Sequence, residues 1–158
     1  KEEFRDTGRY IDEDIAYVYF KRYELKSEYE LAKEKGLFSL LLFMPNFIFQ
    51  RLVFDKVGLY ATNPFRVLFS IVIVNFIFSL IYTLFYSEDN TLTCLDYHVS
   101  FTEKVLENLY FSAITFFTVG YGDCSPLGFF KILAPIEGFV GVFLMSYFTV
   151  AFVRKILR

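Results

Sequence analysis

The residues with the clearest chemical potential are Thr118, Val119, Gly120, Tyr121, Gly122 and Asp123, which carry no formal charge before Asp123. Glycine takes positive φ at little steric cost, so Gly120 and Gly122 allow carbonyls that would alternate along a strand to face one axis. The Thr118 hydroxyl extends that row. The chemistry on offer is a line of neutral oxygen donors with a carboxylate, Asp123, at its end. Rival chemistries lack their residues. Cys94 and Cys124 are in no metal-ligand spacing, His98 is the one histidine, and no His/Cys/Asp cluster suggests a metal centre or a nucleophile. No enzyme activity is expected, and no cofactor.

The composition says what must hold that line. With 55% hydrophobic and 22% aromatic residues in 158, the chain has more apolar surface than a water-soluble core of this length uses, which points to a membrane. Val67 to Tyr86 contains no charge and reads as one transmembrane helix, its strongly polar residue Asn75 turned to a neighbouring helix. Ile132 to Val153 reads as a second, with Glu137 its sole charge. Between them lies a polar, acidic loop and then Lys104 to Phe117, a helix of roughly 20 Å that reaches about half-way across a bilayer and must enter and leave on one side. Arg51, Lys56 and Arg66 precede the first span, and Arg154, Lys155 and Arg158 follow the second, so both termini are expected in the cytoplasm and the acidic loop outside. No basic patch stands alone, which removes nucleic acid as a partner.

Ile11 to Lys35 reads as a charged cytoplasmic helix with a ragged apolar stripe, ended by Gly36. Leu37 to Phe49 is apolar but short and interrupted by Pro45, and charges follow it. It is expected to lie along the cytoplasmic membrane surface as an amphipathic segment, with a third span as the alternative. The expected organisation is a cytoplasmic segment over 1–36, an interfacial segment and linker over 37–64, and a membrane domain over 65–158. Within the last are a span at 67–86, a half-membrane helix at 104–117, the TVGYGD run at 118–123 and a span at 132–153.

The order span, re-entrant helix, TVGYGD, span resembles the two-transmembrane, pore-loop potassium channels of prokaryotes. Tyr60 to Leu68, YATNPFRVL, and the charged helix before it look similar to the linker of the bacterial type associated with pentapeptide repeats. The resemblance implies an all-α membrane protein, located in the plasma membrane of a prokaryote, in which three further copies of the chain complete a homotetramer surrounded by lipid. The carbonyls of Thr118, Val119, Gly120 and Tyr121, with the Thr118 hydroxyl, would form stacked potassium sites that replace the ion's hydration without trapping it by fixed charge. Gly122 would shape the outer mouth and Asp123 sit just outside it. Ile114 stands where several relatives carry a glutamate partner for that aspartate, and Tyr110 is the candidate substitute. Phe117 replaces a frequent second threonine.

Glu137 is expected to bond groups behind the filter, its protonation altering conductance. Gly141 is the candidate hinge, with close packing the alternative and the favoured reading at Gly138. Val142, Met145 and Thr149 would face the cavity below the filter. His98 is expected to be simply exposed. Cys94 and Cys124 are expected as free thiols, a bridge being the alternative. No helix has arginine at every third position, so any sensor is expected within 1–56 or in sequence outside this chain. Against the selective potassium channel stand a non-selective cation channel and a non-conducting scaffold or sensor that retains the pore fold.

Overall fold

The computed structural model describes residues 10–95 and 100–157. His98 and Asp96 in the outer loop, and the terminal Arg158, lie outside the described residues. Helix α1 covers Tyr10–Glu34 and α2 Leu37–Phe49, which runs on into a π-helical stretch, Gln50–Val57. Then come α3 (Pro64–Leu84), α4 (Phe101–Phe116) and α5 (Phe130–Ile156). Three stretches are long and apolar enough to cross a membrane by length and composition: Leu37–Val57, Pro64–Leu84 and Phe130–Ile156. Two compact units divide the chain, Lys1–Val67 with Phe148–Arg158, and Leu68–Tyr147.

Local chemistry sets the boundaries. Asn63 Oδ1 accepts the Arg66 N–H at 3.2 Å, and Pro64 takes the first helical position, where its missing N–H costs nothing. Helix α4 starts three residues before the expected Lys104 because Glu103 Oε2 accepts the Ser100 N–H at 3.0 Å, as in a capping box. Pro45 does not stop α2, contrary to the expected interruption. A proline removes one intrahelical bond, and the apolar run on both sides carries the helix through. Arg66 Nε then donates to the Lys56 carbonyl at 2.8 Å, satisfying one of the acceptors left open where the π-helical stretch ends.

In the first unit, α1 folds back on α2 and its π-helical extension. Gly36, at φ 110°, makes the reversal in a region that side chains disfavour. Arg22 grips Asp55 Oδ1 through Nε at 2.9 Å and Nη2 at 2.7 Å, and the rings of Tyr29 and Phe47 meet at 5.0 Å between centroids. These two pairs make the hairpin antiparallel. After it, Leu59, Tyr60 and Ala61 all have left-handed backbones, with φ of 47°, 55° and 59°. Each costs roughly 1–2 kcal/mol for a residue with a Cβ. Hydrogen bonds hold the segment: Tyr60 N–H to the Phe54 carbonyl at 2.6 Å, and Arg154 Nη1 to the Tyr60 carbonyl at 3.1 Å. Arg154 also lies 4.4 Å above the Tyr17 ring and 3.4 Å from Asp14.

The second unit is built around Tyr82, whose ring meets Phe111 at 5.2 Å and Phe130 at 4.9 Å, both edge to face. Such pairs add about 0.5–1.5 kcal/mol each beyond the area they bury. Leu92, Leu95, Ile114 and Ala134 complete the core. Thr93 N–H bonds the Ser125 carbonyl at 3.0 Å and Leu127 N–H the Thr91 carbonyl at 2.8 Å, so the outer loop lies against the chain that leaves the TVGYGD run. Beside this bridge Cys94 and Cys124 form a disulfide. The expectation of free thiols is therefore corrected. A separation of 30 residues carries no sign of proximity; the short pairing of Leu92 with Pro126 supplies it.

Candidate functional site

The site begins where α4 ends. Phe117 N–H returns to the Ala113 carbonyl at 3.0 Å, Thr118 to Thr115 at 3.0 Å, and Val119 and Gly120 both to Ile114, at 2.8 and 3.3 Å. The helix closes on a left-handed residue, as αL-type caps do, but here a threonine, Thr118 at φ 54°, stands where glycine is usual. Gly120 and Gly122 follow at φ 56° and 82°. The N–H groups of residues 118–120 are thus turned back onto α4. Among the described residues no donor reaches the carbonyls of Thr118, Val119, Gly120 or Tyr121. The Thr118 hydroxyl donates to the Phe117 carbonyl at 2.7 Å. The run is exposed and ends on the carboxylate of Asp123, both of whose oxygens are bonded: Oδ2 accepts the Tyr110 hydroxyl at 2.7 Å and Oδ1 the Cys124 N–H at 3.0 Å. That bond to Asp123 pushes the Tyr110 phenol up to about 12.

Behind α4 sits Glu137, fully buried. Its Oε2 accepts the Tyr82 hydroxyl at 2.8 Å, and its Oε1 is 2.5 Å from Ser112 Oγ. Ser112 Oγ also reaches the Asn75 carbonyl at 3.0 Å, so its single proton serves two acceptors. Asn108 Nδ2 donates to Thr83 Oγ1 at 3.2 Å one turn earlier on α4. Sequence reasoning named Glu137 but missed Tyr82, Ser112 and Asn108; Asn75 enters through its backbone carbonyl, while its side-chain Nδ2 is buried with no partner among the described residues. Asn108 and Ser112 are four apart on α4, the spacing that places two side chains on one face, and that was the available signal.

A Cβ at Gly141 would lie 2.0 Å from the Phe116 carbonyl, whereas one at Gly138 would meet only the Thr115 carbonyl, at 3.7 Å. The close approach expected at Gly138 therefore falls at Gly141. Farther along α5, Val142 and Thr149 are exposed and Met145 half-buried, with exposed Ser146 between them bonding the Val142 carbonyl at 2.8 Å. Glu107 approaches Cys94 and Cys124, the ligand atoms of all three lying within 4.8 Å of one another, but both sulfurs are spent in the disulfide and supply no thiolate for a metal.

A family model described as an ion channel, of the two-transmembrane pore-loop kind, matches residues 67–158. The chain belongs to that ion-channel family. The matched stretch takes in nearly all of α3, α4, the TVGYGD run and α5, and leaves α1 and α2 outside. With its apolar helices the channel is an integral membrane protein. A search among curated proteins and another among solved structures found no match.

Proposed function

We propose that this channel is potassium-selective and that four copies of the chain surround one pore, with Thr118, Val119, Gly120 and Tyr121 as its filter and Gly122 and Asp123 at its outer mouth. The supporting observation is the backbone of the TVGYGD run: glycines at positive φ, amides bonded back to α4, and carbonyls with no donor among the described residues. Neutral oxygens in that state suit an ion that must shed its water and then leave again. One chain supplies one file of oxygens, and closed rotational symmetry completes the ring. The C-terminal end of α4 carries partial negative charge toward the same point, which favours a cation. Tyr110 and Glu137 act as supports of the filter, and Val142, Met145 and Thr149 line the cavity beneath it. Gly141 serves as the hinge of α5.

In this reading α3 and α5 are the spans, both termini are cytoplasmic, and the protein resides in a prokaryotic plasma membrane. The α1–α2 hairpin lies on the inner membrane surface, because a membrane-crossing α2 would take the charged α1 with it. Reconstitution in vesicles tests the function. Potassium flux that barium blocks, with sodium excluded, is the expected result. Equal sodium flux would overturn selectivity, and silence under every condition of pH, calcium and voltage would overturn conduction.

A further inference from the structure

Between α1 and the α2–π helix lies an open cleft of about 670 Å³, outside the stretch that matches the channel family. Its walls combine two kinds of surface. Leu25, Tyr29, Met44 and Phe47 give an apolar and aromatic side, while Arg22, Lys26 and Arg51 face Glu30 and Asp55 on the other. The Arg22–Asp55 bridge neutralises two of these charges within the hairpin. The same bridge and the Tyr29–Phe47 contact set a register in which Lys26 and Arg51 stand at one level on opposite walls. Neither is in an ion pair among the described residues; Arg51 rests 5.8 Å from the Phe47 ring centroid. Two cations held at one level, against the single remaining carboxylate of Glu30, favour an anion between them.

Tyr60 supplies an independent sign. It lines the same cleft and is nine-tenths buried, yet its hydroxyl is buried with no hydrogen-bond partner among the described residues. Buried hydroxyls are normally bonded, and an orphan on a residue that lines a cavity is explained by a ligand that reaches it from there. Burial pushes this phenol up from its usual range, so it remains a donor at neutral pH and suits an acceptor oxygen.

We infer that the cleft binds a phosphate ester with an apolar or aromatic body, its phosphate held between Lys26 and Arg51 and bonded by the Tyr60 hydroxyl. Arginine and lysine with a neutral donor match phosphate oxygens, and the volume falls within the range of small-molecule sites. The body rests on Tyr29, Met44 and Phe47. The Tyr60 carbonyl accepts Arg154 from the end of α5, so the occupied site touches the helix that the proposed pore depends on; that consequence rests on the channel reading, and the binding does not. The phosphate comes from a soluble ester or from a lipid headgroup.

Binding to the full chain, held in nanodiscs of zwitterionic lipid, separates these sources. The probes are adenosine monophosphate, a short-chain phosphatidic acid and inorganic phosphate, measured by calorimetry. At least one of the two esters is expected to bind more tightly than inorganic phosphate. Lys26→Gln and Arg51→Gln should each weaken that binding about tenfold or more, and Tyr60→Phe about threefold to tenfold. Lys33→Gln, outside the cleft, should leave it unchanged, and unaltered size-exclusion profiles show that the variants fold. Binding of neither ester, or equal affinity in the parent and the three cleft variants, overturns the inference. Silence in flux assays would sink the channel reading while leaving this measurement intact.

Discussion

Two carboxylates carry the chemistry nearest the TVGYGD run, and they are held differently. Glu137 is buried on the Tyr82 and Ser112 hydroxyls, so replacing it by alanine strands the buried Tyr82 donor and leaves Ser112 to the Asn75 carbonyl. A buried group left unsatisfied costs about 1–3 kcal/mol, and Glu137→Ala should lower the melting temperature of the solubilised channel clearly more than Glu137→Gln, which retains one acceptor. If Glu137 protonation alters conductance, the current–pH curves of Glu137→Gln and the parent must differ. Asp123 is exposed and held by Tyr110. The folded-state phenol lies at about 12, above its ordinary value, so the bond contributes fully below the ordinary tyrosine range and is lost as pH rises through about 12. A difference titration by tyrosinate absorbance, parent minus Tyr110→Phe, should show one late-titrating tyrosine. The Tyr110–Asp123 contact was legible because Ile114 left the usual partner position empty and one hydroxyl stood a turn away. Tyr82 was not, since a tyrosine in an apolar span looks like core until the acid opposite it is seen.

Elements were legible in proportion to how locally they are specified. The charge-free stretch from Val67 placed α3 to within a few residues, and the half-membrane length of α4 followed from its sequence. What depends on distant approach was not legible. The closeness of α5 to the end of α4 puts Gly141 against the Phe116 carbonyl and leaves room at Gly138, the reverse of the packing expected from the chain alone. Gly141→Ala should cost about 1–3 kcal/mol through overpacking and reduce assembled channel on a size-exclusion column. Gly138→Ala should be neutral or stabilising by up to about 1 kcal/mol, since alanine is the better helix former. The disulfide is a second such case. Closing a loop of 30 residues between Cys94 and Cys124 stabilises by about 3–4 kcal/mol in the chain-entropy account. The double serine variant should melt lower than the parent, and dithiothreitol should destabilise the parent and not the variant.

For the whole molecule, the open question in the sequence was whether Leu37–Val57 crosses the membrane, and length no longer argues against it, because the helix runs unbroken through Pro45. Packing supplies the argument for the proposed surface position instead. Tyr29 meets Phe47 and Arg22 meets Asp55, so α1 accompanies α2 along its length and would share its depth. A crossing hairpin would bring Lys26, Glu28, Glu30 and Lys33 into the hydrocarbon, at up to about 2.5–3.5 kcal/mol for each charge near the centre. Lying flat, the same hairpin keeps those charges in water and turns Leu37, Phe38, Leu41, Leu42 and Leu52, all exposed, toward the acyl chains. The two arrangements put the helix-to-helix turn on opposite sides of the membrane. A cysteine at Lys35 in the Cys94→Ser, Cys124→Ser background is therefore expected to react with an impermeant maleimide only from the cytoplasmic side. Labelling from outside would make the hairpin a transmembrane pair and move the proposed phosphate cleft off the inner surface.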